Sequence, residues 1–132
     1  MIQALVAQHE WALLIFRLIL GVIFVAHGWR KARNFTGTMS WLEGEGFRPS
    51  WLFAPLVTAA ELGGGILIAL GVFTAPVAII LTINMMVAFA WNFKKKNGFF
   101  HHLELDLVLI GALLLLATLG DGYYALGAFL GL

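Results

Sequence analysis

Apolar residues occupy this chain in four long blocks, each close to the length a helix needs to cross a bilayer. The blocks run from about Trp11 to Arg30, Trp51 to Val72, Ala75 to Asn92 and Leu103 to Leu119. About 20 mostly apolar residues span the hydrocarbon core as an α-helix. The pattern therefore predicts an all-α transmembrane four-helix bundle, organised as one domain over residues 1–132. Polar punctuation marks the helix ends. Ser50, following Pro49, is a candidate N-cap for the second helix. Gly71-Val72-Phe73-Thr74 reads as a tight turn, and Thr74 with Pro76 suits the start of the third helix. Lys94-Lys95-Lys96-Asn97-Gly98 is a charged turn, and Gly120-Asp121-Gly122 closes the fourth helix. Outside these blocks lie an apolar lead-in, Met1–Glu10, suited to the interface, and an apolar tail, Tyr123–Leu132, with no assigned role. The long connection, residues 31–50, places Phe35, Met39 and Leu42 on one side of a short surface helix expected from Thr38 to Glu43.

Composition agrees with the pattern. Hydrophobic residues make up 61% of the 132 positions, charged residues 11%, and the mean hydropathy is +0.93. Soluble domains carry about 25% charged residues, so this surface is built for lipid. The first block lacks a basic start and a small-x-small cleavage site, and it reads as a retained membrane helix rather than a signal segment. A net charge of +1 offers no case for nucleic acid, and the absence of cysteine excludes disulfides, thiolate metal sites and dithiol chemistry within the chain. Charge placement informs more than charge total. Of the eight basic residues, Arg30, Lys31, Arg33 and Arg48 lie in or beside the first loop and Lys94, Lys95 and Lys96 in the third; Arg17 is inside a helix. The positive-inside bias places both loops in the cytoplasm and both termini outside, in a cytoplasmic (inner) membrane.

Few polar groups lie at membrane depth, and each calls for a reason. Glu61 stands in Ala59-Ala60-Glu61-Leu62-Gly63-Gly64-Gly65, and it shares a helical face with Ala54, Thr58 and Gly65. The first helix carries a matching stripe of Arg17, Gly21, Phe24, Gly28 and Lys31. Matching the helices about the bilayer midplane sets Arg17 roughly 9 Å inside one boundary, with Glu61 and Asn84 near the centre. Arg17, Glu61 and Asn84 are therefore the candidate intramembrane polar core. Two readings of Arg17 stand: it snorkels to the nearer headgroups, or it pairs with Glu61 while Asn84 completes the hydrogen bonds.

A second group, His27, Lys31, Glu104 and Asp106, gathers towards the basic end, with His101 and His102 at its boundary. Glu104 shares a face with Val108, Gly111 and Thr118 and is expected to face the interior; Asp106, about 200° round, is expected at the rim as a helix-start acid. His27, Lys31 and Glu104 are the candidate quinone, lipid or proton site, since histidine titrates near neutrality and burial raises a carboxylic acid towards it. Adjacent His101 and His102 point apart and no spaced ligand set is present, so no metal site is expected. Met85-Met86 reads as core filler.

The order and spacing of these features carry a resemblance. Arg17, Gly21, Phe24, His27-Gly28 and Lys31 are followed by Gly46-Phe47-Arg48-Pro49, then Ala60-Glu61-Leu62-Gly63-Gly64, Leu70-Gly71-Val72-Phe73-Thr74, and Asn97-Gly98-Phe99-Phe100 leading to Glu104. Over roughly residues 12–120 the chain resembles the DoxX family of small four-helix integral membrane proteins, departing from it at His101-His102-Leu103, where the family often carries a glycine-rich stretch. That resemblance implies a membrane subunit or scaffold of a redox-related complex, quinone-linked or tied to oxidative stress. With no cysteine, the redox role it implies is non-catalytic or quinone-binding, with a quinone or bound lipid as ligand and a protein partner in the complex. Two other classes stand beside it. One is a small transporter or channel, which at this length needs a homo-oligomer. The other is an assembly factor whose buried polar groups are purely structural.

Overall fold

The computed structural model describes residues 1–94 and 103–132, with side chains over 1–90 and 104–132. Among the described residues the chain forms seven helices and no strand: α1 (Ile2–Val6), α2 (His9–Arg33), α3 (Phe35–Gly44), α4 (Ser50–Leu70), α5 (Thr74–Lys94), α6 (Leu103–Leu119) and α7 (Leu126–Leu130). The long helices α2, α4, α5 and α6 correspond to the four apolar blocks. Of these, α2 and α4 each have the length and apolarity to cross a membrane within the described residues.

The bundle is two hairpin-like pairs. α2 packs along α4, α6 packs along α5, and the pairs join chiefly through α4 and α5. Glycine lets α2 and α4 approach closely: a Cβ on Gly28 would fall 2.6 Å from the Leu62 backbone nitrogen, and one on Gly21 would fall 2.7 Å from the Gly65 carbonyl oxygen. Small residues replace bulk at such crossings because packing, rather than the exclusion of water, drives helix association in lipid. Ala54, Thr58, Glu61 and Gly65 are all buried on α4, as are Arg17, Gly21, Phe24 and Gly28 on α2. Leu20, Ile68, Leu81, Leu113 and Leu116 fill the centre, none more than 3% exposed. Turned outward are Ile15, Ile19, Val22, Ile66, Ile79, Ile80, Ile83, Leu114 and Leu115, an apolar belt suited to acyl chains.

The connections are built from local hydrogen bonds. α4 ends in a left-handed Gly71 (φ 74°), with the Val72 N–H donating to the Leu67 carbonyl at 2.9 Å, the closure that satisfies a helix's last carbonyls. The surface helix expected over Thr38–Glu43 is longer, spanning Phe35–Gly44. The Asn34 side chain caps it by accepting from the Gly37 N–H at 3.3 Å. Thr38 donates to the carbonyls of Lys31 and Asn34, both at 3.1 Å, which ties α3 to the end of α2. Buried Leu42 helps seat α3 beside α4.

The C-terminal tail is part of the bundle. Asp121 Oδ1 accepts from the Thr74 N–H at 2.9 Å and so caps α5 from outside it, and the Gly127 N–H donates to the Gly71 carbonyl at 3.0 Å. Glu10 accepts from the Tyr123 N–H at 2.7 Å, while the Trp11 ring lies 4.4 Å from that of Tyr124. Residues 121–132 thus close the end of the bundle opposite Lys31.

Candidate functional site

Glu61 holds the centre of the polar interior, and α2 and α5 both reach it. The Lys31 ammonium donates to Glu61 Oε1 at 2.6 Å, and the Asn84 side-chain amide donates to the same oxygen at 3.2 Å. The Glu61 side chain is 7% exposed and that of Lys31 24%. Lys31 therefore reaches inward from the last turn of α2 while keeping some contact with the outside. Glu61 Oε2 is buried and has no partner among the described residues. An unanswered buried carboxylate oxygen is costly, on the order of 1–3 kcal/mol or more, so native proteins usually give it a partner, protein or otherwise.

Glu61 also lines a cavity. A space of about 150 Å³ opens between α2, α4, α5 and α6, with His27, Lys31, Glu61 and Asp106 supplying its polar wall. Phe24, Met85, Leu105 and Leu109 supply its apolar wall. Phe24 and Leu109, 2% and 4% exposed, close it inward, where the leucine core begins. His27 lines the cavity yet is exposed, so it stands at the mouth. Chemically, this wall offers an ammonium, an imidazole and two carboxyl groups beside apolar surface: donors for a carbonyl, an acceptor for a hydroxyl, and groups able to exchange a proton.

The structure redistributes the residues singled out from sequence. Glu61, Asn84 and Lys31 come together, with His27 beside them. Arg17 does not join them. Its guanidinium donates to the carbonyls of Ile68 at 3.1 Å and Ala69 at 3.2 Å, and to that of Tyr124. It is 1% exposed, so it neither pairs with Glu61 nor snorkels out. The reason is axial register. Gly28 lies against Leu62, and Gly21 against Gly65 and Ala69, which sets Glu61 level with the last turns of α2 rather than with its middle. Ten residues then separate the level of Glu61 from Arg17, about 15 Å at 1.5 Å per residue, beyond the reach of an arginine side chain. Arg17 instead meets carbonyls in the last turn of α4, at the negative end of the helix dipole.

Glu104 and Asp106 exchange their expected places. Asp106 is 7% exposed and lines the cavity, whereas Glu104 is exposed and does not. Asp106 repeats with buried Leu109, Leu113 and Leu116, while Glu104 stands on the side of exposed Val108 and Leu115. The leucine stripe is the true inner face of α6; glycine and threonine on the other face marked small residues, not burial. Position 106 was legible from that stripe. His101, His102 and the Lys95–Phe100 stretch lie outside the described residues.

Comparison with known proteins follows the same outline. The DoxX family profile matches residues 12–103. The chain is 29% identical over 119 residues to "Inner membrane protein YqjF" of Escherichia coli (strain K12), covering 89% of this chain and 90% of that protein. It is 32% identical over 120 residues to "Putative oxidoreductase CatD" of Bacillus subtilis (strain 168), covering 91% and 87%. "Inner membrane protein YphA" of Escherichia coli (strain K12) is 35% identical over 68 residues, about half of each chain, at 52% and 49%. No solved structure matches the chain.

Proposed function

Because the chain belongs to the DoxX family and is an integral membrane protein, we propose that it serves an inner-membrane redox complex as its membrane subunit or scaffold, with the Glu61 cavity as the site for a quinone-type or related lipid. The basic end, with Lys31 and the cavity mouth, faces the cytoplasm in this reading, in keeping with the positive-inside bias. One observation carries the proposal: the buried Glu61 side chain lines a ring-sized space together with Lys31 and His27. The residues suit such a ligand. Lys31 has N–H groups beyond the one given to Glu61, and with His27 can hold a carbonyl. A quinone-type ligand supplies two-electron chemistry when bound. The chain has no cysteine of its own, so it has no thiol couple to supply electrons, and a redox partner supplies them in this reading. The names of two relatives, an inner membrane protein and an oxidoreductase, point the same way.

Gentle purification from native membranes tests the reading. Mass spectrometry is expected to find a quinone-type or phenolic lipid and a redox protein with the wild-type chain, and to lose the lipid from Glu61→Gln. A ligand-free, partner-free protein whose Glu61→Gln variant supports the same membrane redox activity would refute it.

A further inference from the structure

The bundle is staggered, and the stagger sets residues 121–132 at membrane depth. On α2, exposed Arg30 limits the hydrocarbon at one end, since a charged side chain among acyl chains is costly. A core about 30 Å thick holds about 20 helical residues, which carries the other boundary back to exposed Trp11. Between the two, α2 turns Ile15, Leu18, Ile19 and Val22 outward. α4 stops short of the far boundary. Gly28 lies against Leu62 and Gly21 against Ala69, so Gly71, where α4 ends, is level with Ile19. From Ile19 to Trp11 is about 12 Å at 1.5 Å per residue. α5 begins and α6 ends at that same depth, because Asp121, just past α6, accepts from the Thr74 N–H. Of the four long helices, α2 alone continues to the boundary.

Residues 121–132 take the space left beside it. They rise to the boundary at Tyr123, whose N–H donates to Glu10, and at Tyr124, whose ring lies beside that of Trp11. They return to depth at Gly127, whose N–H donates to the Gly71 carbonyl; a Cβ there would fall 2.6 Å from that oxygen. Backbone at hydrocarbon depth has to find its partners within the protein. Arg17 supplies them to Ile68, Ala69 and Tyr124, Gly127 to Gly71, and Asp121 to Thr74. The side chains turn the other way. Within α7 only Gly127 is buried, while Phe129 and Leu130, and Leu132 beyond them, are 87%, 57% and 61% exposed. No residue from 122 to 132 is charged. Leu70 and Phe73, which flank Gly71 in the chain, are exposed as well, so this surface continues the apolar belt of the bundle. A segment seated by polar backbone, with its apolar side chains outward, is inside out for water and suited to lipid.

We propose that residues 121–132 are a re-entrant plug set in lipid, in the leaflet away from Lys31. The partner of Phe129, Leu130 and Leu132 is acyl chain, and the plug completes that leaflet's part of the bundle where α4, α5 and α6 stop short. It needs no anionic lipid, because the segment has no basic residue. The inference stands apart from the reading of the Glu61 cavity.

The chain has no native cysteine, so Phe129→Cys and Leu130→Cys each supply a single thiol on a side chain that lies outside the packing. Each is labelled with a nitrobenzoxadiazole fluorophore in the full chain, in phosphatidylcholine nanodiscs that leave both faces open to iodide. Ile83→Cys, in the apolar belt, and Arg33→Cys, at the basic end, calibrate lipid and water. Nitroxide-bearing lipids are expected to quench both plug labels within about twofold of Ile83→Cys, and iodide to quench them at least about fivefold less than Arg33→Cys. Iodide quenching close to that of Arg33→Cys overturns the proposal, because it places the segment in water. Quenching by neither agent overturns it as well, because protein, a second copy included, then covers this face.

Discussion

Replacing Lys31 with methionine isolates what the buried ion pair does. The substitution keeps the length of the side chain and removes its charge, leaving the Glu61 carboxylate with the Asn84 amide as its remaining donor. Breaking a buried pair from one side costs about 3–5 kcal/mol, because the surviving charge is stranded. Here the Lys31 side chain is 24% exposed and water reaches part of the pair, so the low end applies, about 3 kcal/mol. Glu61→Gln alone removes the charge that Lys31 neutralises but leaves a carbonyl oxygen for Asn84, and its cost is smaller, about 1–2 kcal/mol. The double variant, Lys31→Met with Glu61→Gln, strands no charge and should return to within about 1 kcal/mol of the wild type. The cycle then yields a coupling of about 3–5 kcal/mol, at or above the upper end for residues in contact. Unfolding in mixed micelles, followed by helical circular dichroism, reads all four forms. Additive effects, or a Lys31→Met cost below about 1 kcal/mol, would refute the claim that Glu61 depends on Lys31 for its charge.

Gly28→Ala should destabilise by about 1–3 kcal/mol, because its Cβ would lie 2.6 Å from backbone, whereas Gly63→Ala meets nothing within 4 Å and should be neutral or stabilising; thermal unfolding in detergent compares them. Arg17→Leu should release residues 121–132 from the bundle, seen as proteolysis of the tail at least several-fold faster than in the wild type. Glu104→Gln, on the outer face of α6, should leave the amount of lipid that co-purifies with the protein within about twofold of wild type, and Asp106→Asn, in the cavity wall, should lower it further.

Helix identity and facing were legible in the chain because both are local. Apolar length marked the long helices, and 3.6-residue spacing put Arg17, Gly21, Phe24 and Gly28 on one buried side and Ala54, Thr58, Glu61 and Gly65 on another. Where small residues and leucines competed to mark a face, as on α6, spacing alone misled: Glu104 lies outside and Asp106 within. Periodicity reports the angle of a side chain around its helix and nothing about how far that helix slides along its neighbour. Sliding is decided where two backbones meet, and the contacts of Gly21 and Gly28 with α4 carry Arg17 away from Glu61 and bring Lys31 to it. The tail was equally illegible, since Asp121 caps a helix that begins 47 residues earlier and Arg17 binds a carbonyl 107 residues away. Composition and spacing alone determined a helical membrane protein with charged groups inside. Only the tertiary structure decided which charges meet, because axial register and long-range capping are properties of pairs of segments, and no single segment encodes them.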